Sequence, residues 1–211
     1  MIVCIEGING SGKTTLAHTL ARRWPHGNAQ AIDPVLHTGF GATVRTAIMT
    51  TEALTADAET LAFASARLHT AAVLAADRCP PAHQLIVLER WAGAVTAYGT
   101  VAGASPFLLR ALEGALAGAL PVDVPVLLDV PGDVAEERLR GLGTRNRFET
   151  QGPGYLERVR RHYLTWASIR QVPVINGQQA TLTAAEQVTG LIEAWAAATG
   201  AAPRTDAQEN A

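Results

Sequence analysis

A glycine-rich segment near the N-terminus constrains the fold more than any other part of the sequence. The segment EGINGSGKTT contains the pattern GxxxxGK(S/T), which begins at Gly7 and has its second glycine at Gly12. An apolar run precedes it and a helical pattern follows it, which is the strand, loop and helix context that a phosphate-binding loop (P-loop) requires. Backbone N–H groups in such a loop surround phosphates at the positive end of the helix. The sequence therefore predicts a site for a nucleotide polyphosphate.

The composition singles out one residue of this loop. The chain has sixteen arginines but a single lysine, Lys13, whose compact ammonium differs from a planar guanidinium. We predict that Lys13 reaches the outer phosphates and that the Thr14 hydroxyl binds Mg2+. The loop residues predicted to contact the donor nucleotide are Gly7, Asn9, Gly10, Ser11, Gly12, Lys13, Thr14 and Thr15.

Length and charge bound the remaining possibilities. A chain of 211 residues, 48% of them hydrophobic, buries one sizeable core, so we expect one domain over 1–199 and a disordered tail over 200–211. A net charge of -2 argues against a broad basic face for nucleic acid. The two cysteines, Cys4 and Cys79, form no disulfide framework, and no apolar stretch is long enough to span a membrane. We therefore expect a cytoplasmic protein without a nucleic-acid or membrane partner.

Apolar runs and helical patterns alternate along the chain. Continuous apolar runs predict buried parallel strands over 2–5, 29–32, 85–88, 124–130 and 172–175. Helical patterns cover 13–24, 55–76, 106–120, 134–140, 155–169 and 184–198. This alternation predicts an α/β fold, in which a five-stranded parallel sheet carries helices on both faces. Ligands of such sheets bind at the carboxyl ends of the strands.

One long segment resembles a known family. Residues 146–167, NRFETQGPGYLERVRRHYLTWA, resemble without a gap the lid and following helix of the thymidylate kinases, typically DRFEQEGLDFFERVREGYLELA. The resemblance extends in register over almost the whole chain. It implies a P-loop kinase fold with a short lid at about 141–152, and ATP-dependent phosphorylation of a deoxynucleoside monophosphate, with dTMP as the favoured acceptor. It also implies a small-molecule nucleotide as the substrate and a homodimer as the assembly.

Three segments that match the family pattern suggest the acceptor site. LAFASARLH places Phe63 and Arg67 on one helix face, and the resemblance implies that the ring stacks on the base while the arginine bonds to it. An ordinary amphipathic helix would instead bury Phe63 and expose Arg67. Asp33 and Arg45 match an acidic turn residue and a phosphate-binding arginine, and Tyr98 matches an aromatic residue of the pocket.

Two further segments suggest how phosphoryl transfer is assisted. LIVLER ends a predicted strand in Glu89 and Arg90, and the resemblance implies that Glu89 holds Mg2+ or its waters while Arg90 binds the acceptor phosphate. A simple ion pair is the alternative. Arg145 and Arg147, between glycines of the predicted lid, would close over the phosphates and neutralise developing charge, unless they form only a solvated charge run. The predicted catalytic residues are Lys13, Glu89, Arg90, Arg145 and Arg147.

The adenine end of the donor site is suggested by resemblance alone. Arg138 matches an arginine that packs near adenine in the family. Asn176, Gly177 and Gln178 follow the last predicted strand and resemble the loop that rims the adenine ring.

Four positions depart from the family pattern. Asn9 replaces the loop acid, Glu89 replaces an aspartate, Val95 replaces a polar residue that bonds to the pyrimidine, and Leu142 replaces a lid arginine. A lost hydrogen bond to the base matters because polar contacts discriminate between bases more strongly than apolar fit. A modified deoxyuridylate or another deoxynucleotide therefore stays open as the acceptor.

Two other functions remain open at this point. Glu89-Arg90 and Asp33-Pro34-Val35 also resemble segments of the deoxynucleoside kinases, in which a carboxylate acts as base toward a 5'-hydroxyl. The helix before Phe63 lacks the glutamine with which those enzymes read the base. An ATP-dependent regulatory or binding subunit is the second alternative, whereas the single lysine excludes the NKxD segment of guanine-nucleotide switches.

Overall fold

One parallel sheet forms the centre of the molecule. The computed structural model describes residues 1–76, 85–141, 151 and 154–200. Its strands are β1 (Ile2–Glu6), β2 (Ala29–Ile32), β3 (Leu85–Glu89), β4 (Val124–Asp129) and β5 (Val174–Asn176). They are ordered β2-β3-β1-β4-β5, and every neighbouring pair is parallel. The predicted five-stranded parallel sheet is confirmed, and the P-loop leaves its central strand.

Helices cover both faces of this sheet. The helices are α1 (Lys13–Arg23), α2 (Gly39–Thr50), α3 (Ala56–Ala76), α4 (Ala92–Ala102), α5 (Pro106–Ala119), α6 (Gly132–Arg140), α7 (Tyr155–Arg170) and α8 (Thr181–Thr199). Alternate residues of β1 point to opposite faces. Val3 and Ile5 pack in a core with α1 and α8, whereas Ile2 and Cys4 pack in a second core with α3 and α5. The predicted α/β class is therefore confirmed.

The structure adds two helices that the sequence analysis did not predict, α2 and α4. Both contain glycines and β-branched residues, which lower helix propensity. Tertiary packing compensates for this loss in α4, where a Cβ added to Gly99 would lie only 2.5 Å from Leu109 Cδ2 of α5. The boundaries of β5 and α8 also differ from prediction by two or three residues.

The strand ends place several acidic residues along one edge of the sheet. Glu6, Glu89 and Asp129 are the last residues of β1, β3 and β4. The predicted lid arginines, Arg145 and Arg147, and the predicted tail from residue 201 onward lie outside the described residues. Within the described ranges, no helix is both long enough and apolar enough to cross a membrane.

Candidate active site

The P-loop joins β1 to α1 with a backbone that only glycine accommodates easily. Gly10 and Gly12 adopt φ values of 79° and 93°, in the left-handed region. A Cβ on Gly10 would also lie 2.5 Å from the carbonyl oxygen of Ala135 in α6. Gly12 occupies the N-cap position of α1, and no described side chain caps that helix end. The positive end of α1 is therefore available to an anion.

Lys13 lies buried at the start of α1. Only 6% of its surface is exposed, and its Nζ donates a hydrogen bond to the carbonyl oxygen of Ile8 at 3.2 Å. Burial lowers the pKa of Lys13 well below its usual value, and the nearby Arg90 guanidinium lowers it further. The carboxylates of Glu89, Asp33 and Glu6 offset part of this effect. A bound triphosphate would place enough negative charge beside Lys13 to stabilise its buried ammonium.

Thr14 and Glu89 form an oxygen-rich pair beside Lys13. The hydroxyl Oγ1 of Thr14 donates a hydrogen bond to Oε2 of Glu89. The pairing of β1 with β3, which aligns Ile5 with Glu89, fixes the carboxylate at this edge. Hydroxyl and carboxylate oxygens suit Mg2+, which takes its remaining ligands from water and substrate phosphates. The two residues therefore fit the metal that a phosphoryl donor brings, although no group of three or more metal-ligating side chains occurs among the described residues.

Arg90 follows β3 and points its guanidinium across the P-loop. Its Nε donates to the carbonyl oxygen of Gly7 at 3.2 Å, and its Nη2 donates to Asn9 Oδ1 and to the Tyr98 hydroxyl, the latter at 3.3 Å. The guanidinium carbon lies 5.5 Å from the centroid of the Tyr98 ring. Asn9 closes this cluster, since its backbone N–H donates to the Tyr98 hydroxyl at 3.0 Å. A cation is thus fixed between the P-loop and the neighbouring cavity.

That cavity, here called the acceptor pocket, brings together every residue predicted to bind the acceptor. Asp33, Arg45, Phe63, Arg67, Arg90 and Tyr98 all line it, together with Asn9 and Glu89. Val95, at the position of departure from the family pattern, also lies in its wall. The sequence analysis missed the lining residues Val35, Met49, Glu59, Thr60, Ala94 and Gly99. Most of these come from α2 and α4 or from the first two turns of α3, where no motif signalled them.

Arg67 is the most buried of the cations predicted to bind the acceptor. It is 5% exposed, and burial lowers its pKa. Its Nη1 donates to the carbonyl oxygen of Phe63 at 3.1 Å, and its guanidinium lies 5.9 Å from the Phe63 ring centroid. Its Nε has no hydrogen-bond partner among the described residues. A buried donor without a partner is costly, so the position of Arg67 requires compensation. The Arg67 side chain lines the acceptor pocket, where its guanidinium would face a bound ligand.

A second pocket lies on the other side of the P-loop. Its wall includes Ser11, Thr15, Arg138 and Gly177. Arg138 closes the wall, because Nη1 donates to the carbonyl oxygen of Ser11 at 3.2 Å and Nη2 to that of Gly177 at 3.1 Å. A role for Arg138 beside adenine stays a prediction.

The neighbouring glutamines differ in their position at this pocket. Gln179 contributes to the wall, whereas Gln178 is exposed and is not among the described lining residues. A role for Gln178 stays a prediction, as do the roles of Arg145 and Arg147 outside the described ranges.

The fold and these two pockets define a class of protein. A P-loop with a buried lysine, a threonine and carboxylate pair for a metal, and an arginine-lined pocket at the same sheet edge are typical of kinases that transfer a phosphoryl group between nucleotides.

Comparison with known proteins gives the family. The thymidylate kinase model matches residues 5–188. The thymidylate kinase of Pseudomonas putida (strain W619) is 34% identical over 174 residues, which cover 78% of this chain and 81% of that enzyme. The corresponding enzyme of Nitratidesulfovibrio vulgaris (strain DP4) is 28% identical over 211 residues and 92% of each chain. A third, from Cupriavidus necator, is 31% identical over 187 residues, which cover 79% of this chain and 83% of that enzyme. The chain belongs to the thymidylate kinase family and is a nucleoside monophosphate kinase with ATP as phosphoryl donor.

Proposed function

We propose that this enzyme phosphorylates dTMP to dTDP by direct in-line transfer from ATP, assisted by Mg2+. The observation that carries the proposal is the acceptor pocket, in which Arg45 and Arg90 lie in the same cavity as Phe63 and Arg67 and beside the P-loop. Two cations suit a phosphate, and a ring beside a buried donor suits a base. A nucleoside monophosphate satisfies both ends of the pocket.

Positioning and charge neutralisation supply the catalysis in this proposal. Lys13 and the loop N–H groups hold the donor phosphates, and Thr14 and Glu89 hold Mg2+, which would neutralise charge on the phosphates. Arg45 and Arg90 hold the acceptor phosphate in line. Arg145 and Arg147 are proposed to close over the transferred group, where they would exclude water.

The base is proposed to be read mainly by Arg67. Its guanidinium, which lines the pocket, would donate to an acceptor atom of the base while Phe63 stacks on the ring. Val95, which is 4% exposed in the pocket wall, offers only an apolar contact. At this position the pocket wall therefore has no polar group with which to reject a pyrimidine that differs from thymine at one substituent, and a modified deoxyuridylate is the alternative acceptor.

A panel of acceptors tests the proposal. ADP release is measured with ATP and Mg2+ against dTMP, dUMP, 5-substituted dUMP, dCMP, dAMP, dGMP and thymidine. We expect dTMP to give the highest kcat/KM. Thymidine, which lacks the phosphate, should have a kcat/KM at least about 100-fold lower than that of dTMP. A higher kcat/KM for another monophosphate would overturn dTMP as the acceptor and assign specificity to Val95 and its neighbours.

The same panel decides between this proposal and a deoxynucleoside kinase. Preference for thymidine over dTMP would overturn the monophosphate acceptor and make Asp33 the candidate base. Asp33 lines the pocket, but its Oδ1 accepts the backbone N–H groups of Val35 at 2.8 Å and Leu36 at 3.3 Å. These bonds favour a role as a turn cap.

We also propose that the enzyme is a homodimer in the cytoplasm. Between Ala58 and Ala76, all of which the structure describes, no exposed or half-buried residue of α3 is an aspartate, glutamate, lysine or arginine. Leu61 is 46% exposed on this face, and the 48% exposed Phe40 of α2 contacts His69 with ring centroids 5.2 Å apart. An uncharged face of this length supports an interface between two copies. The cytoplasmic location is supported by the family alone.

A further inference from the structure

One buried carboxylate near the active site has no part in the proposed chemistry. Glu6, the last residue of β1, is 1% exposed. Its Oε1 accepts the backbone N–H groups of Trp91 at 2.8 Å and Gly93 at 2.9 Å. Its Oε2 accepts the hydroxyl of Tyr163 at 3.2 Å. A buried acid with several donors is unusual enough to require an explanation.

The two backbone N–H groups that donate to Glu6 follow closely after a strained residue, Arg90. Arg90 has a φ of 68°, a left-handed conformation that is uncommon for a residue with a side chain. Its backbone N–H donates to the carbonyl oxygen of Ile5 at 3.0 Å, which fixes the peptide on one side. The Glu6 carboxylate accepts the N–H of Trp91 and so fixes the peptide on the other side. Such conformations persist only where the surroundings over-determine them.

The first turn of α4 is packed directly on this carboxylate. A Cβ on Gly93 would lie 2.9 Å from Glu6 Cδ and 3.0 Å from Trp166 Cη2. The side chain of Trp91 is anchored independently, because its Nε1 donates to the carbonyl oxygen of Leu116 at 3.2 Å. The turn from β3 into α4 therefore has little freedom while Glu6 is in place.

We infer that Glu6 is a positioning residue for the acceptor phosphate. It is not among the described residues that line the acceptor pocket, so it acts by holding the turn that carries Arg90. The inference rests on the proposed role of Arg90 in binding that phosphate. Without Glu6, the backbone at Arg90 relaxes from its left-handed conformation and the guanidinium leaves its position over the P-loop. A displacement of about 1 Å costs about 100-fold in rate.

Three variants test this inference. Glu6→Ala removes the oxygen that accepts both N–H groups of the turn, and we expect acceptor kcat/KM to fall about 100-fold. Glu6→Gln keeps an amide oxygen for the Trp91 and Gly93 N–H groups, so we expect a loss of about tenfold or less. Tyr163→Phe is the matched control, since it removes only the bond to Oε2 and should change kcat/KM less than about threefold. The KM for ATP should change less than about threefold in all three.

A double-mutant cycle separates positioning from general stability. Acceptor kcat/KM is measured in the parent, Glu6→Ala, Arg90→Ala and the double variant, with the monophosphate that the panel prefers. If Glu6 acts through Arg90, the double variant has the kcat/KM of Arg90→Ala alone, within about twofold. Losses that multiply would overturn the inference while leaving the role of Arg90 intact. An Arg90→Ala enzyme with parental kcat/KM would overturn the proposed role of Arg90, and the inference with it.

Discussion

Lys13 and Arg67 are buried cations, and burial lowers the pKa of each. Both lie where a bound ligand would replace the interactions with water that burial removes. Lys13 lies in the P-loop and Arg67 in the acceptor pocket. Binding of nucleotides should therefore restore their favourable electrostatic interactions. The two predictions at this scale follow from that coupling.

ATP binding should take up a proton at alkaline pH. In the free enzyme the Lys13 pKa is lowered, so the amine begins to lose its proton at a lower pH than a free lysine would. Triphosphate oxygens favour the ammonium and raise the pKa again, so uptake occurs above the lowered pKa and disappears below it. Calorimetric titration with ATP between about pH 7 and 9, in two buffers of different ionisation enthalpy, measures this uptake. In Lys13→Arg the guanidinium stays protonated and the uptake should vanish. Equal uptake in both proteins would contradict the assignment.

Arg67→Lys should weaken the binding of the acceptor nucleotide but not the binding of ATP. The lysine keeps the charge but loses the planar guanidinium that we propose bonds to the base. A hydrogen bond from a charged group is worth about 1.5–3 kcal/mol, so we expect acceptor kcat/KM to fall about 10- to 100-fold with the KM for ATP unchanged. Arg110→Lys, at an exposed position of α5, is the control and should leave both parameters unchanged. An equal loss for ATP and acceptor would show that Arg67 acts through folding alone.

At the scale of elements, α6 and α7 flank the predicted lid and are fastened to the sheet. Glu157 in the first turn of α7 accepts the N–H of Gly132 at 3.0 Å. Arg160 donates to both oxygens of Asp129, the last residue of β4, at 2.7 and 2.8 Å. These bonds connect the residues on both sides of the predicted lid to the same strand end.

Arg160→Gln should destabilise the enzyme, because it removes a two-pronged ion pair whose side chains are only 24% and 18% exposed. We expect a loss of about 1–3 kcal/mol in the free energy of unfolding, measured by urea denaturation. Arg161→Gln is a matched control, since Arg161 is 75% exposed and lies 3.5 Å from Glu157. Its loss should be below about 0.5 kcal/mol. Similar losses in both variants would show that the ion pair between Arg160 and Asp129 contributes no more to the free energy of unfolding than the exposed contact of Arg161.

The elements also show what the sequence could predict. β1, α1 and the P-loop between them carry a motif and continuous apolar runs, so they were predicted correctly. α2 and α4 are rich in glycine and threonine, and only packing against their neighbours makes them helical. Glu6 was missed for a related reason: no local pattern shows that a residue at the end of β1 will accept N–H groups from Trp91 and Gly93, more than eighty positions away.

At the scale of the whole molecule, the uncharged face of α3 lies on the helix that also carries Phe63 and Arg67. The inner residues of α3 line the acceptor pocket, whereas Leu61 lies on the outer side of the same helix. If two copies pair through this face, the acceptor pockets of both protomers share a supporting helix with the interface.

Leu61→Arg should therefore convert the proposed dimer into a monomer, because it places two charges in an apolar interface. Light scattering during size-exclusion chromatography gives the mass of each variant, against 22.2 kDa for one chain. Leu182→Arg is the control, since Leu182 is 50% exposed on α8 and distant in sequence from α3. A parent protein that elutes as a monomer would overturn the proposed assembly, and a dimeric Leu61→Arg variant would overturn the choice of face.

Because Lys13 is the only lysine, the enzyme contains its own reporter of nucleotide occupancy. An amine-acylating reagent has two primary amines to modify, the N-terminal amine and Lys13. The lowered pKa leaves more of the Lys13 amine in its unprotonated, reactive form at a given pH than in an ordinary lysine, and ATP bound in the P-loop would cover the 6% of Lys13 that is exposed. The second acyl group in an intact-mass spectrum would then count the empty donor sites directly, without an added probe or an engineered residue.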